Sequence, residues 1–297
     1  MPASEVMALQ GLTLRARCVA DGVLAGLHHS RRLGESAEFA EHKLYAPGDD
    51  VRRIDWKAFA KTDRYFVKRF EEETSLRAFL VVDSSGSMTY PEQGRPTKFE
   101  YSATLAASLS LLLLRQSDAV GLLNFGRDCQ LIVPPGAARD QAHALTRALE
   151  AIQPGGGTDA QRAFAQLGDQ VRRHSLVVVL SDLLGVVDEA GDLDLVLGGL
   201  AALRARGADV AVLQVMDRDE LELPFAGVVR FKDLEGDREI QVDADAIRET
   251  YKEEVQAYLA RIERTAHAAG LTYQRVRTDD APASVLARFI ADRDGAR

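Results

Sequence analysis

The sequence predicts an α/β fold in which a doubly wound, mostly parallel sheet carries helices on both faces, preceded by an N-terminal helix and an irregular extension. From residue 76 onward, short runs rich in Val and Leu alternate with stretches of helical periodicity. This alternation is typical of parallel strands joined by covering helices. The runs at 76–82 and 175–180 are almost wholly apolar, which is typical of strands buried on both faces.

The first quarter of the chain predicts one helix and a charged segment. In residues 6–27 apolar side chains recur every three or four positions, which favours an amphipathic helix. Residues 28–74 mix charges of both signs with short aromatic pieces, and Pro47-Gly48 marks a turn within them. We expect this segment to be ordered and to pack on the main domain. We therefore divide the chain into residues 1–75, the helix and charged segment, and residues 76–297, the α/β domain.

Each element after residue 75 follows from its local pattern. Apolar runs predict strands, a spacing of three or four predicts helices, and Gly126-Arg127-Asp128 between two strands predicts a hairpin. In chain order we expect strand 76–82, helix 99–115, strands 119–125 and 130–133, helices 140–152 and 160–173, strand 175–180, helix 193–205, strands 209–215, 228–231 and 240–242, helix 243–268, edge strand 271–276 and helix 282–292.

Composition excludes several classes of protein. The 297 residues are 46% hydrophobic and 28% charged, so the chain can bury a sizeable core. Its net charge of -8 argues against a protein built mainly to bind nucleic acid. The two cysteines, Cys18 and Cys129, form no CxxC motif and predict no disulfide framework. The longest apolar stretch, 103–114, is shorter than the roughly 20 residues of a membrane span, and no secretory signal is recognisable. We expect a cytoplasmic protein without a transmembrane segment.

Three loops that follow predicted strands or precede predicted helices carry oxygen ligands. Asp83, Ser85 and Ser87 alternate directly after the first buried strand, Thr158 precedes a helix, and Asp182 follows the strand at 175–180. Ligands of open α/β sheets bind in loops beyond the carboxyl ends of the strands. We therefore expect these five side chains to meet at one edge of the sheet.

Two carboxylates and three hydroxyls, with no Cys or His among them, suit a hard divalent cation. Mg²⁺ is the expected ion, with Mn²⁺ or Ca²⁺ as alternatives, and zinc is disfavoured. Neutral hydroxyls as direct ligands leave the cation electron-poor, so an open coordination position attracts an external carboxylate. The sequence thus predicts a site that binds an acidic side chain of a partner protein.

The same residues resemble a known pattern. Asp83-Ser84-Ser85-Gly86-Ser87 with Thr158 and Asp182 is similar to the complete metal-ion-dependent adhesion site of von Willebrand factor A domains. The resemblance extends from about residue 76 to the last residue in the order and spacing of elements. It implies a Rossmann-like von Willebrand factor A fold and a non-catalytic, metal-dependent protein-binding module.

A second resemblance lies in the charged segment. Its signature is similar to that of the bacterial domain-of-unknown-function family 58, and the matching pieces are Ser30-Arg31-Arg32-Leu33-Gly34, His42-Lys43-Leu44-Tyr45-Ala46-Pro47-Gly48-Asp49-Asp50, Arg53-Ile54-Asp55-Trp56-Lys57 and Val67-Lys68-Arg69-Phe70-Glu71-Glu72. Members of this family are commonly encoded beside MoxR-type AAA+ ATPases. The resemblance implies an adaptor that works with such an ATPase in maturing or remodelling a protein complex, and it does not name the client.

Other interpretations remain open. A metal-dependent hydrolase, phosphoesterase-like, could use Asp83 as a nucleophile beside the same Mg²⁺, although Ser85 stands where its usual second carboxylate would be. The residues 83–87 could also form an ordinary Gly/Ser turn. The loop at Gly155 could cradle a phosphate, but no Lys follows it.

Two further interpretations concern the first 75 residues. The mixed charges at 52–69 could bind nucleic acid, yet interspersed carboxylates favour ion pairing or docking on an acidic protein surface. His28, His29 and His42 could bind zinc, but without Cys companions they are more typical of ordinary polar contacts.

Overall fold

In a computed structural model, the chain forms two compact units, Met1–Gly26 with Leu76–Arg297 and, separately, Leu27–Ser75. The structure describes residues 1–31, 42–44, 59, 64–68, 76–91, 95–126, 129–184, 192–236 and 238–295. The predicted division placed the N-terminal helix with the charged segment in residues 1–75, whereas residues 1–26 belong to the larger unit here. The apolar face of that helix is buried in the larger unit, with Ala16, Val19 and Val23 at most 1% exposed.

A six-stranded sheet forms the centre of the larger unit. Its strands lie in the order β10-β7-β6-β3-β4-β5, and every neighbouring pair is parallel except β4 and β5. The described strands are β1 (His42–Leu44), β2 (Phe66–Lys68), β3 (Arg77–Asp83), β4 (Ala119–Phe125), β5 (Cys129–Gly136), β6 (Ser175–Ser181), β7 (Asp209–Met216), β8 (Val228–Lys232), β9 (Glu239–Asp243) and β10 (Thr272–Arg277). The predicted fold class is confirmed, and β10 is an edge strand as expected.

Helices connect the strands and bury the two faces of the sheet. The described helices are α1 (Ala3–Met7), α2 (Leu12–Arg31), α3 (Lys98–Arg115), α4 (Gln141–Ala151), α5 (Ala160–Gln170), α6 (Asp192–Ala205), α7 (Arg218–Glu222), α8 (Ala244–Ala268) and α9 (Pro282–Gly295). On one face, Phe79 and Val81 share a buried cluster with residues of α5, α6 and α8. Because side chains alternate along a strand, Leu80 and Val82 point to the other face, where α3 packs against β3 and β4.

The structure departs from the predicted elements in several places, and the strand predicted at 130–133 extends over Cys129–Gly136. The helix predicted at 6–27 is two helices, because Gly11 between them has a φ of +83°, which only glycine adopts without strain. The helix predicted at 160–173 ends at Gln170. A short helix at Arg218–Glu222, which begins with a capping box at Asp217, was not predicted.

Two small antiparallel sheets lie outside the main one. β8 and β9 form a hairpin with its own pairing, from Val228 opposite Asp243 to Lys232 opposite Glu239. In the smaller unit, β1 pairs with β2, and the rings of Phe59 and Tyr65 stack 4.4 Å apart. Most of the charged signature pieces, with the side chains of the three histidines, lie outside the described residues, as does Arg127-Asp128 of the β4–β5 turn. None of the helices that the structure describes is both long and apolar enough to cross a membrane.

Candidate metal centre

The candidate site lies at the carboxyl edge of the main sheet, where β3 and β6 end side by side. The chain proceeds from β3 to β4 and β5 on one side, and from β6 to β7 and β10 on the other. Ligands of open α/β sheets bind in the crevice at such a reversal of strand order. Asp83 ends β3 and Asp182 follows β6, and they are only 3% and 1% exposed. The structure brings the two predicted carboxylates to one crevice.

The loop after β3 is folded around the Asp83 carboxylate. Asp83 Oδ1 accepts a hydrogen bond from the Ser85 amide at 2.8 Å, and Oδ2 accepts one from the Ser181 hydroxyl at 2.5 Å. The chain then enters a short 3₁₀ turn at Gly86–Thr89. This turn places the Ser85 and Ser87 hydroxyl oxygens 3.1 Å apart.

That spacing of the two hydroxyls fits a small octahedral cation. Neighbouring ligands about 2.0–2.1 Å from a Mg²⁺ ion are about 3 Å apart, and the Ser85 and Ser87 oxygens are separated by 3.1 Å. A hydrogen bond between the hydroxyls has the same length. The two serines can therefore exchange their mutual hydrogen bond for a shared cation with little movement.

The glycine loop that carries Thr158 is tied to the loop after β3 by backbone hydrogen bonds. The Gly86 amide donates to the Gly156 carbonyl at 2.7 Å, and the Gly155 amide donates to the Ser84 carbonyl at 2.8 Å. Gly155 and Gly156 have φ values of +157° and +76°, so the second of them takes a left-handed conformation that favours glycine. These contacts fix the loop before Thr158 at the same edge of the sheet.

Thr158 and Ser87 both contact the carboxyl group of Glu235, a residue that was not among the predicted ligands. The Thr158 amide donates to one oxygen of Glu235 at 3.1 Å, and the Ser87 amide donates to the other at 3.4 Å. The Thr158 hydroxyl makes only a long hydrogen bond of 3.3 Å, to the Gly126 carbonyl. All three predicted loops thus meet around one crevice, with Glu235 among them.

The Asp182 side of the crevice is a buried ion-pair cluster. Lys98 lies at the start of α3 and is fully buried. Its Nζ lies 2.6 Å from Asp182 Oδ2 and also donates to Glu220 of α7. Asp182 Oδ1 accepts a hydrogen bond from the Leu184 amide at 2.9 Å. The Asp182 side chain is thereby held in one orientation toward Asp83.

The electrostatics of the crevice favour a bound cation. Burial and, after it, repulsion from Asp182 raise the pKa of Asp83 to about 7. Burial also raises the pKa of Glu220, against the attraction of Lys98. Burial works against the Lys98 ammonium, but the charges of Asp182 and Glu220 outweigh it and raise the lysine pKa. Asp182 and Glu220 share the Lys98 ammonium, and a divalent ion would relieve the repulsion between Asp83 and Asp182.

The donor set fits a hard cation only if hydroxyls take part. Within the described ranges, no three His, Cys, Asp or Glu side chains are grouped so that they could hold a metal ion. A cation at this edge would rest on Ser85, Ser87 and Thr158, with Asp83 and Asp182 supplying charge. This is the combination of residue types that the sequence predicts.

Four residues of the crevice were not predicted from the sequence. Ser181 was visible only as the neighbour of Asp182, and Lys98 and Glu220 belong to helices whose starts carry ordinary capping residues. Glu235 lies in an acidic, glycine-containing turn between β8 and β9, a pattern typical of an exposed hairpin. Each enters the site through a contact between residues distant in the sequence.

The start of α5 bears on the alternative of a phosphate-binding glycine loop. Asp159 caps this helix, and its side chain accepts a hydrogen bond from the Arg162 amide at 2.9 Å. A carboxylate therefore already occupies the helix N-terminus that a phosphate would use.

Comparison with known proteins gives matches to the sequence over most of its length. The family model described as "Protein of unknown function DUF58" matches residues 41–261. A protein of Mycobacterium tuberculosis named "Uncharacterized protein Rv1480" is 30% identical over 291 residues, which is 96% of this chain and 89% of that protein.

Comparison with solved structures gives the fold. An aerotolerance-related membrane protein from Bacteroides fragilis is 20% identical, with a TM-score of 0.50 over 75% of this chain and 100% of that one. A protein described as "von Willebrand factor type A" from Catenulispora acidiphila is 16% identical, with a TM-score of 0.36 over 51% of this chain and 34% of that one. The first likeness supports the fold of the larger unit, and neither one assigns an activity.

Proposed function

Since the chain belongs to the family described as "Protein of unknown function DUF58", we propose that it is a non-catalytic protein-binding module whose crevice takes up a divalent cation, Mg²⁺ in the first instance, and through it an acidic side chain of a partner. The observation that carries this proposal is the 3.1 Å separation of the Ser85 and Ser87 hydroxyls beside the buried pair Asp83 and Asp182.

Each predicted residue has a distinct part in the proposed site. Ser85, Ser87 and Thr158 would hold the ion through neutral oxygens. Asp83 and Asp182 would supply the negative charge and orient the serines through hydrogen bonds, as Asp83 does with the Ser85 amide. When bound, the cation supplies a Lewis-acidic position that an external carboxylate can occupy.

The chemistry of the crevice supports binding rather than turnover. Both Asp83 oxygens accept hydrogen bonds, from the Ser85 amide and the Ser181 hydroxyl, and Ser85 stands where a metal-dependent hydrolase would carry its second carboxylate. Asp182 is likewise engaged by Lys98 and the Leu184 amide. A non-catalytic role needs only that a partner's acid group reach the cation.

The partner we propose is a MoxR-type AAA+ ATPase, with the chain acting as its adaptor in the cytoplasm during maturation or remodelling of a protein complex. The choice of an ATPase rests on the resemblance of the charged segment to its family. The chemistry of the crevice adds one requirement, that the ATPase present an acidic side chain. Nucleic acid is not expected as a partner, because the net charge of the chain is -8.

Calorimetric titration of Mg²⁺ tests the metal site directly. The unaltered chain is expected to bind one ion, and Asp83→Ala is expected to abolish that binding. Asp118→Ala is the matched control, because Asp118 is also a buried aspartate next to β3, but at the opposite edge of the sheet, where it accepts a hydrogen bond from the Leu76 amide at 2.9 Å. Equal Mg²⁺ binding by both variants would overturn the proposed site.

Capture of a purified MoxR-type ATPase tests the partner. Retention is expected with the unaltered chain and Asp118→Ala in Mg²⁺, and not with Asp83→Ala in the same buffer. Comparing variants at constant Mg²⁺ avoids removing the ion that the ATPase itself needs for its nucleotide. Hydrolysis of a phosphoester panel that disappears in Asp83→Asn would instead favour the metal-dependent hydrolase.

A further inference from the structure

The chain presents an acidic side chain of its own to the candidate metal centre. The two carboxylate oxygens of Glu235 accept hydrogen bonds from the amides of Ser87, at 3.4 Å, and Thr158, at 3.1 Å. These are two of the three residues whose hydroxyls would hold the cation. A carboxylate placed between them occupies the approach that an acidic partner side chain would take.

Hydrogen bonds within the β8–β9 hairpin hold Glu235 at its turn. The turn between β8 and β9 is closed by a hydrogen bond from the Asp233 amide to the Arg238 carbonyl at 2.8 Å. The Asp233 side chain then accepts a hydrogen bond from the Glu235 amide at 2.8 Å. These two hydrogen bonds hold Asp233 and Glu235 in place within the hairpin itself.

The tip also fits closely against the loop after β3. A Cβ atom added to Gly86 would lie 2.1 Å from the carbonyl oxygen of Leu234, far inside van der Waals contact. Position 86 can seat the tip only because it is a glycine. The Leu234 contact and the two Glu235 hydrogen bonds thus come from one docked turn.

The described residues offer Glu235 no positive partner in this position. In the part of the chain that the structure describes, no Lys or Arg side chain lies within ion-pair distance of it, and the hydrogen bonds that its carboxylate accepts come from backbone amides. The one nearby ammonium, that of Lys98, is taken by Asp182 and Glu220. A cation in the crevice would give this carboxylate the positive partner that the described side chains do not supply.

We propose that Glu235 is an internal acidic ligand of the metal centre, and that a partner's acid group must displace it in order to bind. This inference rests on the function proposed above and adds its regulation. The seated hairpin reduces the apparent affinity for a partner in proportion to the fraction of molecules in which Glu235 holds the position. Cation binding and partner binding are then separate events, the second requiring the hairpin to leave.

The hairpin can leave without disturbing the core. Among the described strands, β8 and β9 pair only with each other. Val228 and Ile240, on opposite faces of the hairpin, are 66% and 59% exposed. Lifting the tip breaks the contacts at Gly86, Ser87 and Thr158 and exposes little buried apolar surface.

The test compares Glu235→Gln with Glu239→Gln. Both variants remove one negative charge from the same hairpin, but Glu239 lies on β9 and pairs with Arg230 at 3.6 Å, away from the crevice. Mg²⁺ affinity is measured by calorimetry. The Mg²⁺-saturated proteins are then titrated with a capped tripeptide that has Glu at its centre, followed through the amide NMR signals of Ser87 and Thr158, with the Gln-centred peptide as the blank.

Glu235→Gln is expected to weaken Mg²⁺ binding about tenfold and to strengthen binding of the Glu peptide at least about tenfold, whereas Glu239→Gln changes neither. If Mg²⁺ binds but the two variants and the unaltered chain take up the peptide with equal affinity, the internal ligand is overturned and the metal site stands. If no variant binds Mg²⁺ and the unaltered chain does not either, the proposed function itself fails.

Discussion

The two sides of the crevice use polar groups in opposite ways. On the hydroxyl side, the Ser85 and Ser87 hydroxyls bond to each other, the Thr158 hydroxyl donates to the Gly126 carbonyl, and the Ser87 and Thr158 amides donate to Glu235, all at 3.1–3.4 Å. On the charged side, the Lys98 ammonium lies wholly buried between Asp182 and Glu220. On the hydroxyl side Ser87 and Thr158 are partly exposed and the hydrogen bonds are long, whereas the charged side is enclosed and its contacts are short.

This difference suggests that the hydroxyl side of the crevice serves binding and that the charged side serves the stability of the fold. Neutral hydroxyls with long hydrogen bonds can exchange those bonds for a cation at small cost. A buried ion pair cannot rearrange in this way, because losing one partner leaves an uncompensated charge in a poorly solvated place. We therefore expect changes on the hydroxyl side to alter binding and changes on the charged side to alter folding.

The largest effect is expected for Lys98→Met. The substitution leaves Asp182 and Glu220 buried without their cation, so the free energy of unfolding should fall by about 3–5 kcal/mol. Urea denaturation followed by circular dichroism measures it. Arg115→Met is the control, since Arg115 pairs with Asp21 at 2.9 Å but both side chains are about half exposed, and such pairs contribute about 1 kcal/mol or less. A loss for Lys98→Met no larger than that for Arg115→Met would show that the buried charged side does not stabilise the fold.

The sequence predicted most strands of the main sheet closely, because they are encoded by local apolar runs, whereas β5 continues past the predicted end at 133 to Gly136. The predicted strand at 119–125 has the bounds observed for β4, and that at 175–180 is one residue shorter than β6. The break at Gly11 was missed because the apolar spacing on either side continues through it. Periodicity reports which face is buried, and it does not report a left-handed φ at a single position.

The predicted site residues converge because the rule for open sheets needs only the ends of strands. The contacts of Lys98 with Asp182 and Glu220 span 84 and 122 residues, and no local pattern encodes them. Glu235 reaches Ser87 across 148 residues for the same reason. The metal that these residues would hold stays a prediction.

Gly86→Ala tests the contact between the hairpin and the hydroxyl side of the crevice. The new Cβ would lie 2.1 Å from the Leu234 carbonyl oxygen, and because both groups are fixed to backbone, one loop must move. We expect a loss of about 1–3 kcal/mol in the free energy of unfolding and faster hydrogen exchange at the Ser87 and Thr158 amides. Gly198→Ala in α6 is the control, because an added Cβ there meets nothing within 4 Å. Unchanged exchange at both amides would show that the tip is not seated on Gly86.

The smallest effect on folding, and the clearest on binding, is expected for Ser87→Ala. Its hydroxyl bonds only to that of Ser85 at 3.1 Å, so the free energy of unfolding should change by less than about 1 kcal/mol. Mg²⁺ affinity in calorimetry should fall about tenfold, which corresponds to about 1.4 kcal/mol. Ser84→Ala in the same loop is the matched control, because the Ser84 hydroxyl donates to the Phe125 carbonyl at 3.2 Å and is not one of the three hydroxyls proposed to hold the ion. Were Ser84→Ala to weaken Mg²⁺ binding as much as Ser87→Ala, the loss would reflect the fold of the loop, and the hydroxyl side could no longer be distinguished from the charged side by its role in binding.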